Sequence, residues 1–307
     1  MKKILLYVAG VFFLLIGAIG WILPVFPGWP FVFIGLSFIA PTLAARLKRR
    51  FLRKFSKKEI VFFDGWKKAG INMGFTTRHF PSVFHKTDDL LDIANQNSFR
   101  EAFRRLSLPK YDGVVVDKFI FLNQVHGDHI AILDDPKMLK CEQFIRIPET
   151  DAVLTNLKNV SLLVFTADCL SIYLLAEKDE NRWIGLVHAG WRGTQKGIAG
   201  KAFQMIQQKS GCLASEIRIL FGPKIGKDYY EVGEEFTEYF KASLKRKDGK
   251  LYFDLAGENR RQLIEAGASC DKILDYELCT ISENDDFYSF RKENAAAGRT
   301  ISFINKF

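Results

Sequence analysis

The sequence predicts an α/β (α+β) fold of mixed β-sheets flanked by helices, preceded by an N-terminal transmembrane helical hairpin. The sheets and helices are predicted because strand-like apolar runs alternate with helical patterns throughout residues 60–307. The hairpin is predicted because residues 4–45 carry no charge, whereas one crossing needs only about 20 apolar residues. The chain therefore divides into a membrane hairpin over 1–50, a basic juxtamembrane segment over 51–59 and one domain over 60–307.

Hydrophobic periodicity predicts the elements of the domain. Runs rich in Val, Ile, Leu or Phe predict strands at 118–125, 161–167, 182–187, 216–221 and 273–279. Amphipathic patterns predict helices at 98–106, 194–209, 231–244 and 257–266. No low-complexity stretch, repeat or linker interrupts this part of the sequence, which favours a single domain.

The apolar N-terminal segment contains its own turn. Residues 4–23 predict a crossing helix, and the PVFPGWP segment then breaks it and reverses the chain. The second run, residues 31–45, contains Pro41, so a full crossing and a re-entrant segment both remain open. Because both flanks are basic, the positive-inside rule predicts a membrane anchor with all residues after Arg46 in the cytoplasm. Five cysteines without a CxxC pair also favour a reducing compartment.

The formal charge of +9 does not indicate a nucleic-acid-binding protein. The excess of Lys and Arg falls within the first 59 residues, and the remaining 248 residues carry 34 charges of each sign. A basic groove for DNA or RNA is therefore not expected in the domain.

Three metal-capable side chains follow predicted strands. His126 is the last residue of KFIFLNQVH, Cys169 the last of SLLVFTADC and His188 the last of WIGLVH. Neighbouring strands present side chains from distant sequence positions to one point, and two His with one Cys leave a fourth position on zinc open, as in catalytic sites. From spacing alone, a metal site and ordinary packing of these residues both remain open.

The HAGWRGTQKGI segment predicts an anion site beside the metal. Here the strand turns through Gly190 and Gly193 into a helix beginning near Thr194, and Arg192 lies in the turn. Free backbone N–H groups and the positive end of a helix dipole favour phosphate binding. An ordinary glycine-rich connection is the open alternative.

Motifs along the domain resemble a known family. They are GFTTR (74–78), NQVHG (123–127), DAVLTN (151–156), TADCLS (166–171), HAGWRG (188–193), GPKIGKDYYEVG (222–233) and YSFRK followed by GR (288–292, 298–299). They are similar to the proteins long labelled multicopper polyphenol oxidase or laccase domain and later described as purine nucleoside phosphorylases. The first 50 residues resemble a family of bacterial membrane proteins named for a PGPGW motif, which implies a bacterial inner membrane.

The resemblance implies a function. It implies zinc held by His126, Cys169 and His188, phosphorolysis of adenosine, inosine, guanosine and methylthioadenosine, and hydrolytic deamination of adenosine. Purine nucleosides and phosphate are then the ligands. We expect Asp168 as a candidate proton shuttle, and phosphate near Arg192 and Arg78.

The sequence departs from the family pattern in two places. HFPSVFHK (79–86) stands where a glycine-rich segment is usual, and Ser171 stands where ADCLP has proline. The first departure affects the loop near Arg78 and hence the range of substrates. The second is expected to be tolerated.

Three other functions remain open. A copper-dependent polyphenol oxidase would use the same donors, but a trinuclear copper cluster needs more imidazoles than His79, His85 and His129 supply. A cysteine hydrolase would use Cys169 as nucleophile with His188 or His126 as base. A non-catalytic zinc-binding module would leave the open metal position without a purpose.

Overall fold

The computed structural model describes residues 58–63, 70–107, 116, 118–139, 142–178 and 181–307, and two six-stranded sheets lie at its centre. In spatial order the first sheet contains β1 (Ile60–Phe62), β2 (Ile71–Thr76), β15 (Thr300–Lys306), β7 (Val160–Thr166), β3 (Lys118–Leu122) and β5 (Phe144–Ile147). The second contains β14 (Ile273–Asp275), β10 (Ile217–Phe221), β8 (Leu170–Lys178), β9 (Asn181–Ala189), β6 (Ala152–Thr155) and β4 (Ile130–Leu133). Each sheet combines parallel and antiparallel pairs, which confirms the predicted mixed sheets.

Helices pack on the outer faces of both sheets. The α-helices of the described residues are α1 (Ile93–Ser107), α2 (Trp191–Gln195), α3 (Ile198–Ser210), α4 (Leu255–Glu265) and α5 (Phe290–Glu293). Short 3₁₀ helices lie at Thr87–Leu91, Pro136–Met138, Ala214–Glu216, Glu234–Glu238, Cys270–Lys272 and Asn294–Ala296. Phe99 and Phe103 of α1 pack on the first sheet, and Phe203 of α3 with Leu263 of α4 packs on the second. The order of layers is helix, sheet, sheet, helices.

Central strands of the two sheets carry apolar side chains on both faces. In β8, Ile172 and Leu174 pack towards α3, whereas Tyr173 and Leu175 pack between the two sheets. Tyr173 also donates a hydrogen bond from its hydroxyl to the carbonyl oxygen of Gly74 at 2.7 Å, which joins β8 to the first sheet. The predicted strand β7 is likewise buried on both faces, which explains why a continuous apolar run, rather than an alternating pattern, predicts it.

The structure confirms most of the predicted elements, with shifted ends. The predicted strands correspond to β3, β7, β9, β10 and β14, and the helices predicted at 98–106 and 257–266 correspond to α1 and α4. The helix predicted at 194–209 is interrupted at Gly197, whose φ of 78° lies in the left-handed region. This residue separates α2 from α3.

The helix predicted over residues 231–244 is wrong. The segment contains β11 (Glu231–Val232) and the beginning of β12 (Leu244–Lys247), which pair with β13 (Lys250–Phe253) in a three-stranded sheet. Buried Phe236 and Phe240 are four residues apart, the spacing that suggested a helix. Asp248 and Gly249, both with positive φ, form a two-residue turn that pairs β12 with β13, and this pairing overrides the helical pattern.

The predicted membrane location is corrected. In the part of the chain that the structure describes, no helix combines the length and the apolar character needed to cross a bilayer. A membrane-anchored protein with a cytoplasmic catalytic domain depended on such a helix. The hairpin predicted over residues 4–45, with its PVFPGWP turn, lies outside the described residues. The described residues fall within one compact unit, Lys57–Phe307.

Candidate metal centre and its cavity

Strand pairing in the second sheet brings Cys169, His188 and Asp151 together. Cys169 directly precedes β8, and antiparallel pairing with β9 puts Ser171 opposite His188. On the other side of β9, Asp151 directly precedes β6, which pairs antiparallel with β9. The backbone N–H of His188 donates to the carbonyl oxygen of Asp151 at 2.7 Å. Cys169 and Asp151 thus lie beyond strand ends, whereas His188 lies within a strand.

His126 comes from the first sheet, in the loop that follows β3. Its φ of 59° lies in the left-handed region, which is uncommon for a residue other than glycine. The carboxylate of Asp151 accepts hydrogen bonds from the backbone N–H groups of Val125, His126 and Gly127, at 3.2, 3.0 and 2.7 Å. These three bonds hold the loop in the conformation that presents His126.

The same carboxylate orients His188. Nδ1 of His188 lies 2.8 Å from Oδ1 of Asp151, and both side chains are buried. Because a carboxylate only accepts, Nδ1 carries the hydrogen and Nε2 is left for a metal. One buried Asp151 side chain therefore positions both imidazoles.

The donor atoms of His126, Cys169 and His188 all lie within 4.8 Å of one another. The two imidazole centroids are 4.8 Å apart, with an interplanar angle of 79°. His188 is buried, Cys169 is half-buried and His126 is exposed, so the cluster lies where the core meets the surface. Two nitrogens and one sulfur at these distances can hold one metal ion and leave a coordination position open.

Two glycines of HAGWRG make room for the cluster. A Cβ atom on Gly190 would lie 2.8 Å from Cδ2 of His126 and 3.1 Å from Sγ of Cys169. A Cβ atom on Gly193 would lie 2.6 Å from the carbonyl oxygen of Gly127. These glycines allow the start of α2 to approach His126, Cys169 and the loop that contains Gly127. The anion site predicted at this turn stays a prediction.

The cluster is strongly coupled electrostatically. Burial raises the pKa of the Cys169 thiol, but the positive charge of His188 and hydrogen bonds from both imidazoles outweigh burial and lower the pKa to about 6. Burial lowers the pKa of His188, but the Cys169 thiolate and Asp151 outweigh burial and raise it to about 9. Burial raises the pKa of Asp151, and hydrogen bonds from His188 and from backbone N–H groups bring it below its usual value. Cys169 is thus held as the thiolate, the form that binds metals.

A cavity of about 400 Å³ opens beside the three donors. Its volume falls in the usual range for small-molecule sites. Besides the donors, its wall contains aromatic and cationic side chains: Phe165, Tyr230, Phe290, Lys86, Arg291 and Arg299. This composition suits a ligand with a planar apolar part and a negatively charged part.

Arg299 is the half-buried cation of this wall. Its Nη1 donates to the carbonyl oxygens of Ala297 and Gly298 at 2.8 and 3.1 Å. Within the described ranges no carboxylate forms an ion pair with Arg299, and burial lowers the pKa of its guanidinium, opposed by the charges of Cys169 and Asp168. A half-buried cation without a carboxylate partner favours binding of an anion.

Of the three other predicted site residues, only Asp168 lines the cavity. Asp168 lines the cavity, but its carboxylate accepts hydrogen bonds from the Thr280 hydroxyl at 2.5 Å and from the backbone N–H of Arg291 at 2.6 Å. Arg78 does not line the cavity: its Nη2 lies 2.6 Å from Oε1 of Glu293. Arg192 is exposed, its guanidinium lies 4.3 Å from the Trp191 ring centroid, and it does not line the cavity either.

Sequence reasoning missed several residues of the site. Asp151, Tyr230, Arg291 and Arg299 all lie within the family-like motifs, but no role follows from their positions in the sequence. Asp151 offered one usable signal, because an acidic residue directly before the apolar run 152–154 needs buried partners.

One protein-family model matches most of the chain. Residues 82–306 match the family model described as multi-copper polyphenol oxidoreductase laccase. The chain belongs to this family. The membership confirms the resemblance seen in the motifs, whereas the PGPGW-like segment lies outside the matched residues.

Relatives within the family carry enzyme names. A purine nucleoside phosphorylase of Aquifex aeolicus is 43% identical over 156 residues, which cover 51% of this chain and 71% of that protein. An adenosine deaminase named RL5, from an unknown prokaryotic organism, is 32% identical over 227 residues, covering 70% of this chain and 86% of that protein. The crystal structure of YlmD from Geobacillus stearothermophilus has a TM-score of 0.65 at 28% identity, covering 78% of this chain and 92% of that one.

We expect Asp151→Asn to weaken metal binding about 10- to 100-fold, because an amide cannot accept from three backbone N–H groups and the His188 ring as a carboxylate does. Competition with a chromophoric chelator measures the affinity. The matched control is Asp128→Asn, since Asp128 lies in the same loop but pairs with Lys201 at 2.6 Å. Equal metal affinities for Asp151→Asn and the wild type would contradict this role.

Alkylation of metal-free protein should report the Cys169 thiolate. We expect the rate of Cys169 modification by iodoacetamide to rise with pH through about 6 and then stay level towards about 9, because His188 remains protonated over that range. Peptide mass spectrometry follows Cys169, with exposed Cys270 as an internal control for the reagent. A midpoint for Cys169 near 8.5, the value of an ordinary thiol, would refute the coupling with His188.

Proposed function

We propose that this chain is a zinc-dependent purine nucleoside phosphorylase with adenosine deaminase activity, acting on adenosine, inosine, guanosine and methylthioadenosine. The observation that carries the proposal is the opening of the His126–Cys169–His188 cluster onto a cavity lined by aromatic and cationic side chains. Relatives named purine nucleoside phosphorylase and adenosine deaminase support purine nucleosides as the substrate class.

The donor set supports zinc. Two imidazoles and one thiolate with an open position suit a catalytic zinc ion, although a single copper ion also accepts these donors. A multicopper oxidase needs further copper ions held by many imidazoles. All five histidines of the chain are described, and the three outside the cluster contact other groups: His79 contacts Asp286, His85 contacts Ala297 and His129 contacts Glu149.

The protein's own residues prepare this metal centre. Zinc held by the three side chains would supply a Lewis acid and would activate water for deamination. Asp151 keeps Nδ1 of His188 protonated and holds the loop of His126, so both imidazoles are oriented before a metal binds. The coupling between Cys169 and His188 keeps the sulfur anionic at neutral pH.

Aromatic side chains of the cavity suit the purine. Phe165, Tyr230 and Phe290 line the same wall, and planar rings provide stacking surfaces for a heterocycle. Burial raises the pKa of Tyr230, so its hydroxyl stays neutral and can donate a hydrogen bond to the base.

Cationic side chains of the cavity suit phosphate. In phosphorolysis a phosphate oxygen bonds to ribose C1′ as the bond from C1′ to N9 of the purine breaks, and positive charge develops on the sugar. We assign the phosphate to Arg299 and Arg291, because both line the cavity and Arg299 has no carboxylate partner among the described residues. The alternative assignment to Arg192 and Arg78 stays a prediction.

The contacts of Asp168 support a positioning role. Its carboxylate joins the segment before Cys169 to Thr280 and to the backbone of Arg291, one of the two proposed phosphate ligands. Both of its oxygens accept these hydrogen bonds, so the carboxylate joins three segments of the chain. The role of Asp168 as a proton shuttle stays a prediction.

One observation favours a cysteine hydrolase as the second candidate. Asp151, His188 and Cys169 lie in the order of a catalytic triad, with the imidazole between the carboxylate and a thiolate. That function requires Cys169 to be active without metal and leaves His126 without a role. A non-catalytic zinc module, in turn, would leave the cavity beside the metal unused.

Metal analysis and a nucleoside assay separate these functions. We expect purified full-length protein to contain about one zinc per chain and to release adenine from adenosine only when phosphate is present. Cys169→Ala should lose both the metal and the activity, with Cys270→Ala as the matched control because Cys270 is exposed and outside the cluster. The proposal is wrong if metal-free protein keeps full activity or if no purine nucleoside reacts.

The same assay tests the two phosphate assignments. We expect Arg299→Gln to raise the KM for phosphate at least about tenfold, since one charge-assisted hydrogen-bonding group is lost. Arg192→Gln should change this KM by less than about twofold, because Arg192 does not line the cavity. The reverse pattern would support the assignment made from the sequence.

A further inference from the structure

The segment at 79–86, where the sequence departs from its family pattern, reaches the cavity. Phe80 and Phe84 are buried, and their ring centroids each lie 5.9 Å from that of Phe99 in α1. Phe84 also lies 6.2 Å from Phe165, a residue of the cavity wall. These two aromatic anchors fix the segment so that the next residue, exposed His85, lines the cavity.

We propose that His85 is the general acid that protonates the purine as it leaves the ribose. This assignment rests on the proposed phosphorylase function. It supplies the group that the zinc ligands and the phosphate-binding cations do not provide.

Hydrogen bonding determines which nitrogen of His85 exchanges a proton. Nδ1 lies 3.3 Å from the carbonyl oxygen of Ala297, and a carbonyl oxygen only accepts, so Nδ1 carries a hydrogen. Nε2 is therefore the nitrogen that gains and loses a proton. The same carbonyl oxygen accepts from Arg299 at 2.8 Å, which puts the imidazole beside the proposed phosphate ligand. His85 and Arg299 thus contact the same carbonyl oxygen and line the same cavity.

The other groups of the cavity wall are poorer acids. Both side-chain oxygens of Asp168 are occupied by hydrogen bonds from Thr280 and Arg291, and the guanidinium groups of Arg291 and Arg299 do not release protons at neutral pH. Burial raises the pKa of the Tyr230 hydroxyl and makes it a weaker proton donor. His126 and His188 are the proposed metal ligands. Among the described residues of the wall, this leaves His85 as the imidazole free for proton transfer.

The proposed step is balanced in atoms and electrons. The bond between ribose C1′ and purine N9 breaks, and its electron pair stays on the purine. The proton on Nε2 of His85 moves to N7, so the base leaves neutral, while a phosphate oxygen forms the new bond to C1′. Neutral His85 then regains a proton from solvent.

A purine that needs no proton tests the assignment. We expect His85→Gln to lower kcat for inosine about 10²- to 10⁴-fold. With 7-methylinosine, whose N7 already carries a methyl group and whose base leaves neutral, the loss should stay below about tenfold. Metal content should not change. His129→Gln is the matched control, because His129 Nδ1 also lies 3.3 Å from a carbonyl oxygen, that of Glu149, and lies outside this cavity.

Equal losses on both substrates, or no loss on either, would overturn the role of His85 while leaving the proposed function intact. A wild type that cleaves no purine nucleoside would overturn both. If the wild type accepts inosine but not 7-methylinosine, the test is rescue of the His85→Ala variant by added imidazole. Recovery of inosine cleavage supports the assignment, and failure to recover it overturns the assignment.

Discussion

The hydrogen bonds accepted by the Asp151 carboxylate are the constraint on which the rest of the site depends. Through them the loop after β3, from the first sheet, meets His188 of β9, from the second. Burying a carboxylate is costly unless its oxygens are paired, and here backbone N–H groups and an imidazole pair them. The three candidate donor side chains therefore come together through the packing of the two sheets, so the candidate centre is a product of the fold rather than of a local motif.

Local physical signals explain what the sequence could predict. Strands buried on both faces form apolar runs, and the sequence alone indicates the three candidate donors because His or Cys follows such runs. The wrongly predicted helix at 231–244 shows the limit of periodicity. Phe236 and Phe240 are buried four residues apart, as in a helix, but the segment forms only short strands and the 3₁₀ helix Glu234–Glu238. The left-handed backbone of His126 has no local signal, since it is imposed by Asp151 from 25 positions away.

Contacts between distant parts of the chain account for what the sequence could not give. Arg291, Arg299 and His85 join the cavity from opposite ends of the domain, and His85 meets Ala297 across 212 positions. Family-like motifs fix the order of such residues along the chain but not the distances between them. For that reason the sequence predicted Arg78 and Arg192, rather than Arg291 and Arg299, as phosphate ligands. Ser171, the departure from a family proline, is accommodated: it lies opposite His188, and its hydroxyl accepts from Ser302 at 2.8 Å.

X-ray absorption at the zinc edge of the metal-loaded full-length protein tests the central claim most directly. A single metal held by His126, Cys169 and His188 predicts one sulfur at about 2.3 Å and two imidazole nitrogens at about 2.0–2.1 Å, with one further light atom. A zinc spectrum without a sulfur neighbour would contradict this centre. So would a protein that binds several copper ions instead of zinc and shows metal–metal scattering.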